Sequence, residues 1–434
     1  MNATLAHALN DDCYCVTPSR QSLRAQLEHH LPVPGLPDRL LSAESHLFAD
    51  SPVFVDQDTV DEMTRVVHAV EAVVRNLGFR QFVLNEAPVV MPSEGGARGV
   101  FSSYDFHLDA DGPRLIEINT NAGGVLLNLY LAAAQQACCD EIASLFPAFS
   151  SFTELENGLV AMFQTEWAMQ CTERPLRSIA IVDEAPATQY LYPEFLLFQS
   201  MFRRHGIKAL IADPGEISRS EGALWIGTTK VDLVYNRLTD FYLQAPASSV
   251  LLRAFQEGAA VFTPSPRAYA LYADKRNLIL LSDSKRLQDF GVENVHIETL
   301  TRSVPHTVRV ETDNADELWR QRRRLFFKPA IGYGSRGAYR GAKLTRRVWE
   351  DIMQHEYIAQ SMVAPSERQM IVNGEKRPLK ADVRCVTYDG RIQQLSARLY
   401  EGQVTNLRTE GGGLASVFVV PVEQRSPSGN PDQV

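Results

Sequence analysis

The chain has 434 residues, 45% of them apolar, enough to bury the cores of two or three domains of ordinary size. Its 52 acidic and 43 basic side chains leave a net charge of −9, which argues against a nucleic-acid binder working through a basic face. Six cysteines without paired C-x-x-C clusters read as reduced structural thiols rather than a zinc site. With no signal-peptide pattern and no apolar run of about 18 residues, the expectation is a soluble cytoplasmic protein without a membrane partner.

From residue 20 to 85 the pattern is helical, clearest from Val60 to Val74, where apolar residues recur every three or four positions. Tyr104-Asp-Phe-His-Leu, the turn Asp109-Ala-Asp-Gly-Pro and Arg114-Leu-Ile-Glu-Ile-Asn predict a β-hairpin, followed by a helix from Leu126 to Leu145. After an amphipathic segment at 153–171, the apolar runs at 178–183, 206–213, 231–237 and 260–264 predict strands of one sheet, with a helix carrying Phe195 to His205. These readings divide the chain into a helical segment plus hairpin (1–150), a small doubly wound α/β domain (175–270), a mixed region with glycine-rich loops (271–422) and a polar tail (423–434) expected to be disordered.

Four segments carry chemistry. Lys328 ends an apolar strand directly before a loop containing Gly332, Gly334 and Gly337, which suits backbone N–H groups wrapped around phosphates with a lysine charge beside them; the alternative is a turn-rich surface hairpin. Lys275 lies near a helix start after a Pro-containing turn and is otherwise a solvated helix face. Glu117 and Asn119 stand two apart on a strand, so their oxygens share one face and can reach a hard cation, with Asp105 on the partner strand as a third ligand; the alternative is the polar outer face of a hairpin. Arg398 and Arg408 lie before a loop with three successive glycines and are candidates to neutralise phosphate or carboxylate, against a bland reading as surface arginines.

Together these segments, over residues 98 to 420, resemble the ATP-grasp superfamily and, within it, the circularly permuted, eukaryotic-type glutathione synthetases. In the usual order the Glu-x-Asn motif comes last, whereas here Ile116-Glu-Ile-Asn-Thr precedes the lysine and glycine loop by some two hundred residues. The resemblance implies an α/β ATP-grasp fold, permuted, with an inserted doubly wound substrate domain. It implies ATP held by Lys275, Lys328, Gly332, Gly334, Ser335 and Gly337, with adenine on the backbone of Gln360, Met362 and Val363 in Glu356-Tyr-Ile-Ala-Gln-Ser-Met-Val. Magnesium falls to Asp105, Glu117 and Asn119, substrate contacts to Arg237, Asn121, Asn406 and Arg408, and catalysis to Lys328, Arg398 and Arg408. The implied activity is an ATP-dependent ligase joining a small carboxylate to an amine, such as amino acids or short peptides. A small-molecule kinase, a protein- or peptide-modifying ligase and a non-catalytic nucleotide-binding protein stay open, as does the choice between monomer and homodimer. Departures from the family are Gly332 in the region where a metal-binding Glu is usual, an Asp382-Val-Arg pattern closer to bacterial enzymes, and Thr120-Asn-Ala-Gly-Gly, which lacks the serines after the metal motif.

Overall fold

The computed structural model describes residues 4–421 apart from 32, 43–44, 90, 92–95, 137–151, 172 and 335. The tail expected to be disordered, Cys138, Cys139 and Ser335 lie outside the described residues.

A seven-stranded sheet forms the body, in the order Val53–Asp56, Gly413–Val420, Arg391–Tyr400, Glu375–Tyr388, Ser102–Asp109 and Gly112–Asn119, with Ser366–Val372 also paired to Glu375–Tyr388. Only Val53–Asp56 runs parallel to its neighbour. Its Val-Phe-Val run corrects the expectation of helix from 20 to 85, because a short, fully buried apolar run carries no period that separates strand from helix. The helix Gln57–Arg75 lays Met63, Val66, Val67, Val70 and Val73 on this sheet against Tyr104, Phe106, Leu115 and Ile118. Each such side chain stabilises the packing by about 1.5–3 kcal/mol on burial. The expected hairpins form, with Asp389 and Gly390 both at positive φ (49° and 73°) in a two-residue turn between Tyr388 and Arg391.

The helix expected from Leu126 to Leu145 ends at Ala133, where the chain turns to pair Gln135–Gln136 with Thr17–Pro18. Beyond it lies the parallel sheet, ordered Val261–Thr263, Leu233–Asn236, Ser178–Val182 and Lys208–Ala212. Alternate residues serve opposite faces: Ile179, Ile181 and Tyr235 pack on Phe195, Phe198 and Phe202, while Ala180, Val182 and Val234 meet Leu251 and Ala254. Burial of both faces explains the unbroken apolar runs in the sequence. Inserted between its strands Lys208–Ala212 and Leu233–Asn236 is a three-stranded meander, Ile217–Ser220, Ala223–Ile226 and Thr229–Val231, which the sequence reading passed over.

A small antiparallel lobe, ordered Thr307–Arg309, Tyr357–Ser361, Leu325–Pro329 and Tyr339–Arg340, closes on its own core of Phe327, Trp349 and Ile352. The turns Arg322–Arg324 and Gly341–Lys343 meet so closely there that a Cβ on Gly341 would stand 2.0 Å from the Arg322 carbonyl.

Candidate active site

The site begins with an irregularity. In the hairpin, Asp105 pairs with Glu117 but Phe106 pairs with Leu115, leaving Ile116 without a partner on the neighbouring strand. A bulge of this kind releases a backbone carbonyl from the ladder. Lys328, reaching across from the small lobe, donates to the Ile116 carbonyl at 2.7 Å and to Gln360 Oε1 at 2.8 Å. Gln360 is itself held by its Nε2 on the Thr307 hydroxyl at 3.3 Å. Burial lowers the Lys328 pKa to about 8, an effect that Glu117 opposes and Lys275 reinforces.

Lys275 sits on the turn between the π-helical stretch Tyr269–Ala273 and the helix Asn277–Leu281. Its ammonium donates to the Gly332 carbonyl at 2.8 Å and pairs with Glu117 Oε1 at 2.9 Å. Burial pushes the Glu117 carboxyl up, but the charges of Lys275 and Lys328 outweigh it and hold the group below its ordinary range. About a quarter of that side chain, 26%, stays open. Glu117, Lys275, Lys328, Gly332, Met362 and Val363 share one cleft that opens to solvent.

The glycine loop follows from backbone needs. Gly334 and Gly337 adopt positive φ (57° and 68°), and a Cβ at Gly337 would crowd the Tyr357 hydroxyl at 2.9 Å. In the hinge part of the backbone is already engaged within the protein. Gln360 stands in the ladder between Thr307 and Phe326 and acts on the site through its side chain. The Met362 N–H is taken by the Arg324 carbonyl at 2.9 Å, and the Val363 carbonyl faces His107 Nδ1 at 3.0 Å.

Of the three expected metal ligands, Asp105 is 1% exposed and is forked by Arg384 at 2.8 and 3.0 Å while Arg398 meets it at 2.7 Å. Burial would raise its carboxyl, but the two guanidinium groups hold it far below the carboxylate range. Asn119 donates its amide nitrogen to the same carboxylate at 3.2 Å, and its oxygen takes no part in that bond. Asp105 is thus an anchor for its neighbours, with both oxygens engaged. Among the described residues no cluster of three or more His, Cys, Asp or Glu side chains comes together around a metal position. A magnesium ion bound chiefly through phosphate oxygens needs only one or two protein ligands, and the open Glu117 carboxylate with the Asn119 oxygen fits that demand.

The arginines separate. Arg398 lies in a buried network, bonded to Asp382 at 2.8 and 3.0 Å as well as to Asp105, and Thr405 from the neighbouring loop donates to Asp382 at 2.7 Å. Arg408 is exposed and stands 5.9 Å above the Tyr190 ring, while Asn406 braces its own loop by accepting from the Arg408 amide and the Thr409 hydroxyl. Arg237 is 7% exposed and donates to the carbonyls of Asn121 and Ala122 at 3.0 and 3.1 Å, whereas its Nε has no partner among the described residues. The Asn121 side chain donates to the Leu238 carbonyl at 3.2 Å. Buried Asp183, its pKa raised to about 6 by burial against the opposing pull of Arg237, completes that corner. Loop residues 119–124 therefore run from Asn119 to the carbonyls that Arg237 holds, and Arg384, which forks Asp105, also donates to the Gly123 carbonyl at 3.3 Å.

The sequence reading missed His107, Tyr333, Arg336 and Thr405, all of which line the cleft. For His107 a signal existed, since it lies two residues from Asp105 on the same strand.

No protein-family model and no curated protein matches the sequence. Among solved structures the chain is similar to a glutathione synthetase-like effector from Globodera pallida in its apo form, at a TM-score of 0.53 and 12% identity over 86% of this chain and 90% of that one. At that identity the likeness is one of fold alone: a mixed α/β, glutathione synthetase-like architecture. Weaker likenesses are to a putative gamma-glutamylcysteine synthetase from Methylobacillus flagellatus (TM-score 0.47, 10% identity, 85% of this chain and 91% of that one) and to a D-cycloserine synthetase (TM-score 0.30, 15% identity, 54% and 92%).

Proposed function

We propose that the chain is an ATP-dependent ligase that joins a small carboxylate to an amine through an acyl phosphate, with release of ADP and phosphate. One observation carries the reading: Glu117, Lys275 and Lys328, drawn from three distant segments, converge on one cleft beside a glycine loop. A carboxylate is a poor acyl donor because oxide is its leaving group, so the γ-phosphoryl group of ATP is transferred to it first. Lys275 and Lys328 exchange their protein carbonyl and carboxamide partners for phosphate oxygens and offset the charge that spreads over the transferred group. Glu117 and Asn119 would hold magnesium, which would supply positive charge to neutralise the phosphate oxygens. Gly334 and Gly337 let the loop backbone approach the phosphates. Arg237 and Asn121 receive the carboxylate substrate, Arg408 and Asn406 serve its far end from the loop before Gly411, and Arg398 fixes Asp105 and through it Asn119.

The test is magnesium-dependent ADP release from ATP with a panel of amino acids and γ-glutamyl dipeptides, each with and without an amine such as glycine. Release that needs one acid and one amine is expected, and Glu117→Gln should abolish it while leaving the circular dichroism unchanged. Full turnover in Glu117→Gln would sink the assignment, and release that needs the acid alone would point to a kinase.

A further inference from the structure

The helix Leu5–Asp12 ends at Cys13, whose N–H donates to the Leu9 carbonyl at 3.0 Å, and the chain leaves it as Cys13-Tyr-Cys15. The two sulfurs stand 3.6 Å apart, in contact but unbonded. Residues two apart span about 7 Å at most, close to the Cα separation that a disulfide bridges, so closing the bond to about 2.05 Å asks little of the backbone. The two thiols differ in setting. Cys13 packs with Ala6, Val16, Phe54 and Phe418, whereas Cys15 is exposed. Burial pushes the Cys13 thiol up, against the pull of the Arg368 guanidinium.

Arg368 holds this geometry in place. Fully buried on the strand Ser366–Val372, it donates to the carbonyls of Asn10 at 2.6 Å, Pro52 at 2.9 Å and Cys13. Tyr14, between the cysteines, donates its hydroxyl to the Asp11 carbonyl at 2.7 Å. Two thiols kept in contact by a rigid frame react with each other at a high effective concentration, and packing alone requires neither the second thiol nor its exposure. We propose that Cys13 and Cys15 are a redox-active dithiol that reacts with small-molecule disulfides and closes reversibly to an intramolecular disulfide. The exposed Cys15 gives its proton to solvent and attacks one sulfur of the small disulfide, whose S–S bond breaks as one thiolate leaves. Cys13 then gives up its proton, bonds to the Cys15 sulfur and expels the second thiolate. The two cysteines together lose two electrons and two protons, and the small disulfide is reduced to two thiols.

The intact, reduced chain is treated at pH 8 with 2-hydroxyethyl disulfide and its remaining thiols are capped with iodoacetamide. Trypsin, cutting after Arg20, releases both cysteines in one peptide that holds no other. Mass spectrometry should find that peptide uncapped and lighter by two hydrogens, and dithiothreitol should restore two thiols that cap. In Cys13→Ser the reaction should stop with mercaptoethanol on Cys15, and in Cys15→Ser the buried Cys13 should react roughly tenfold more slowly than the wild-type pair closes. A mercaptoethanol adduct that persists on Cys15 in the wild-type chain, a bond from either cysteine to another peptide, or two thiols that cap throughout the treatment would overturn the proposal. Should Cys13→Ser not fold, the wild-type peptide and the variant at the exposed Cys15 still decide the matter.

Discussion

Lys328 is the residue at which burial and chemistry act most directly on each other. It keeps two hydrogen bonds, yet burial brings its pKa down to about 8. Because that value lies below the 10.5 of an ordinary lysine, the group opposes folding at neutral pH and ceases to do so as pH rises through the window from about 8 to 10.5. A polyphosphate beside it favours the ammonium, so nucleotide binding should draw a proton from solution. At pH 8, calorimetry in buffers of different ionisation enthalpy should report an uptake of roughly half a proton that disappears in Lys328→Met. Proton release, or an uptake that survives the substitution, would show that Lys328 does not meet the phosphates. The residue's type and its place before the glycines were legible in the sequence. Its partners were not, since Ile116 lies 212 positions away and becomes an acceptor only through a bulge.

Elements were legible wherever a period or a turn residue was present. The Asp389-Gly turn and the hairpin carrying Glu117 follow from local chemistry, as do the four parallel strands whose unbroken apolar runs reflect burial on both faces. The strand Val53–Asp56 and the meander after Ile217 were not legible. The first is too short to show a period, and the second turns on Glu221 and Gly222, both at positive φ (51° and 72°), where glutamate gives no turn signal. In the small lobe the contact between the turns Arg322–Arg324 and Gly341–Lys343 requires the absence of a side chain at 341. Gly341→Ala should therefore destabilise the lobe by about 1–3 kcal/mol, the usual consequence of overpacking. Hydrogen exchange should show the loss concentrated in residues 307–361, and an unchanged exchange pattern there would contradict the close approach.

Across the molecule, charge is distributed unevenly. Between Glu317 and Glu350 there are ten basic side chains and no acidic one, in a chain of net charge −9. Arg322 and Arg346 bracket the Trp319 ring at 4.0 and 4.1 Å, which holds part of this charge in place on the small lobe. A basic lobe beside the cleft of an acidic body favours the approach of a polyanion, and that attraction is screened by salt. Stopped-flow association of ATP should slow by roughly tenfold from low to high ionic strength, and removal of Arg322, Arg323 and Arg324 should flatten the dependence. A rate indifferent to salt would exclude such steering. No helix among the described residues is long and apolar enough to cross a membrane. The sequence by itself determined the two lysines, the glycine loop, the Glu-x-Asn pair and the α/β character, because each of these is written in residue type and short-range spacing. The tertiary structure alone decided that Asp105 spends its charge on Arg384 and Arg398, that the Gln360 side chain meets Lys328, and that His107 Nδ1 meets the Val363 carbonyl. Those outcomes depend on which buried charges and donors meet across hundreds of residues, and in a low-dielectric interior that pairing, rather than local pattern, sets what each group can do.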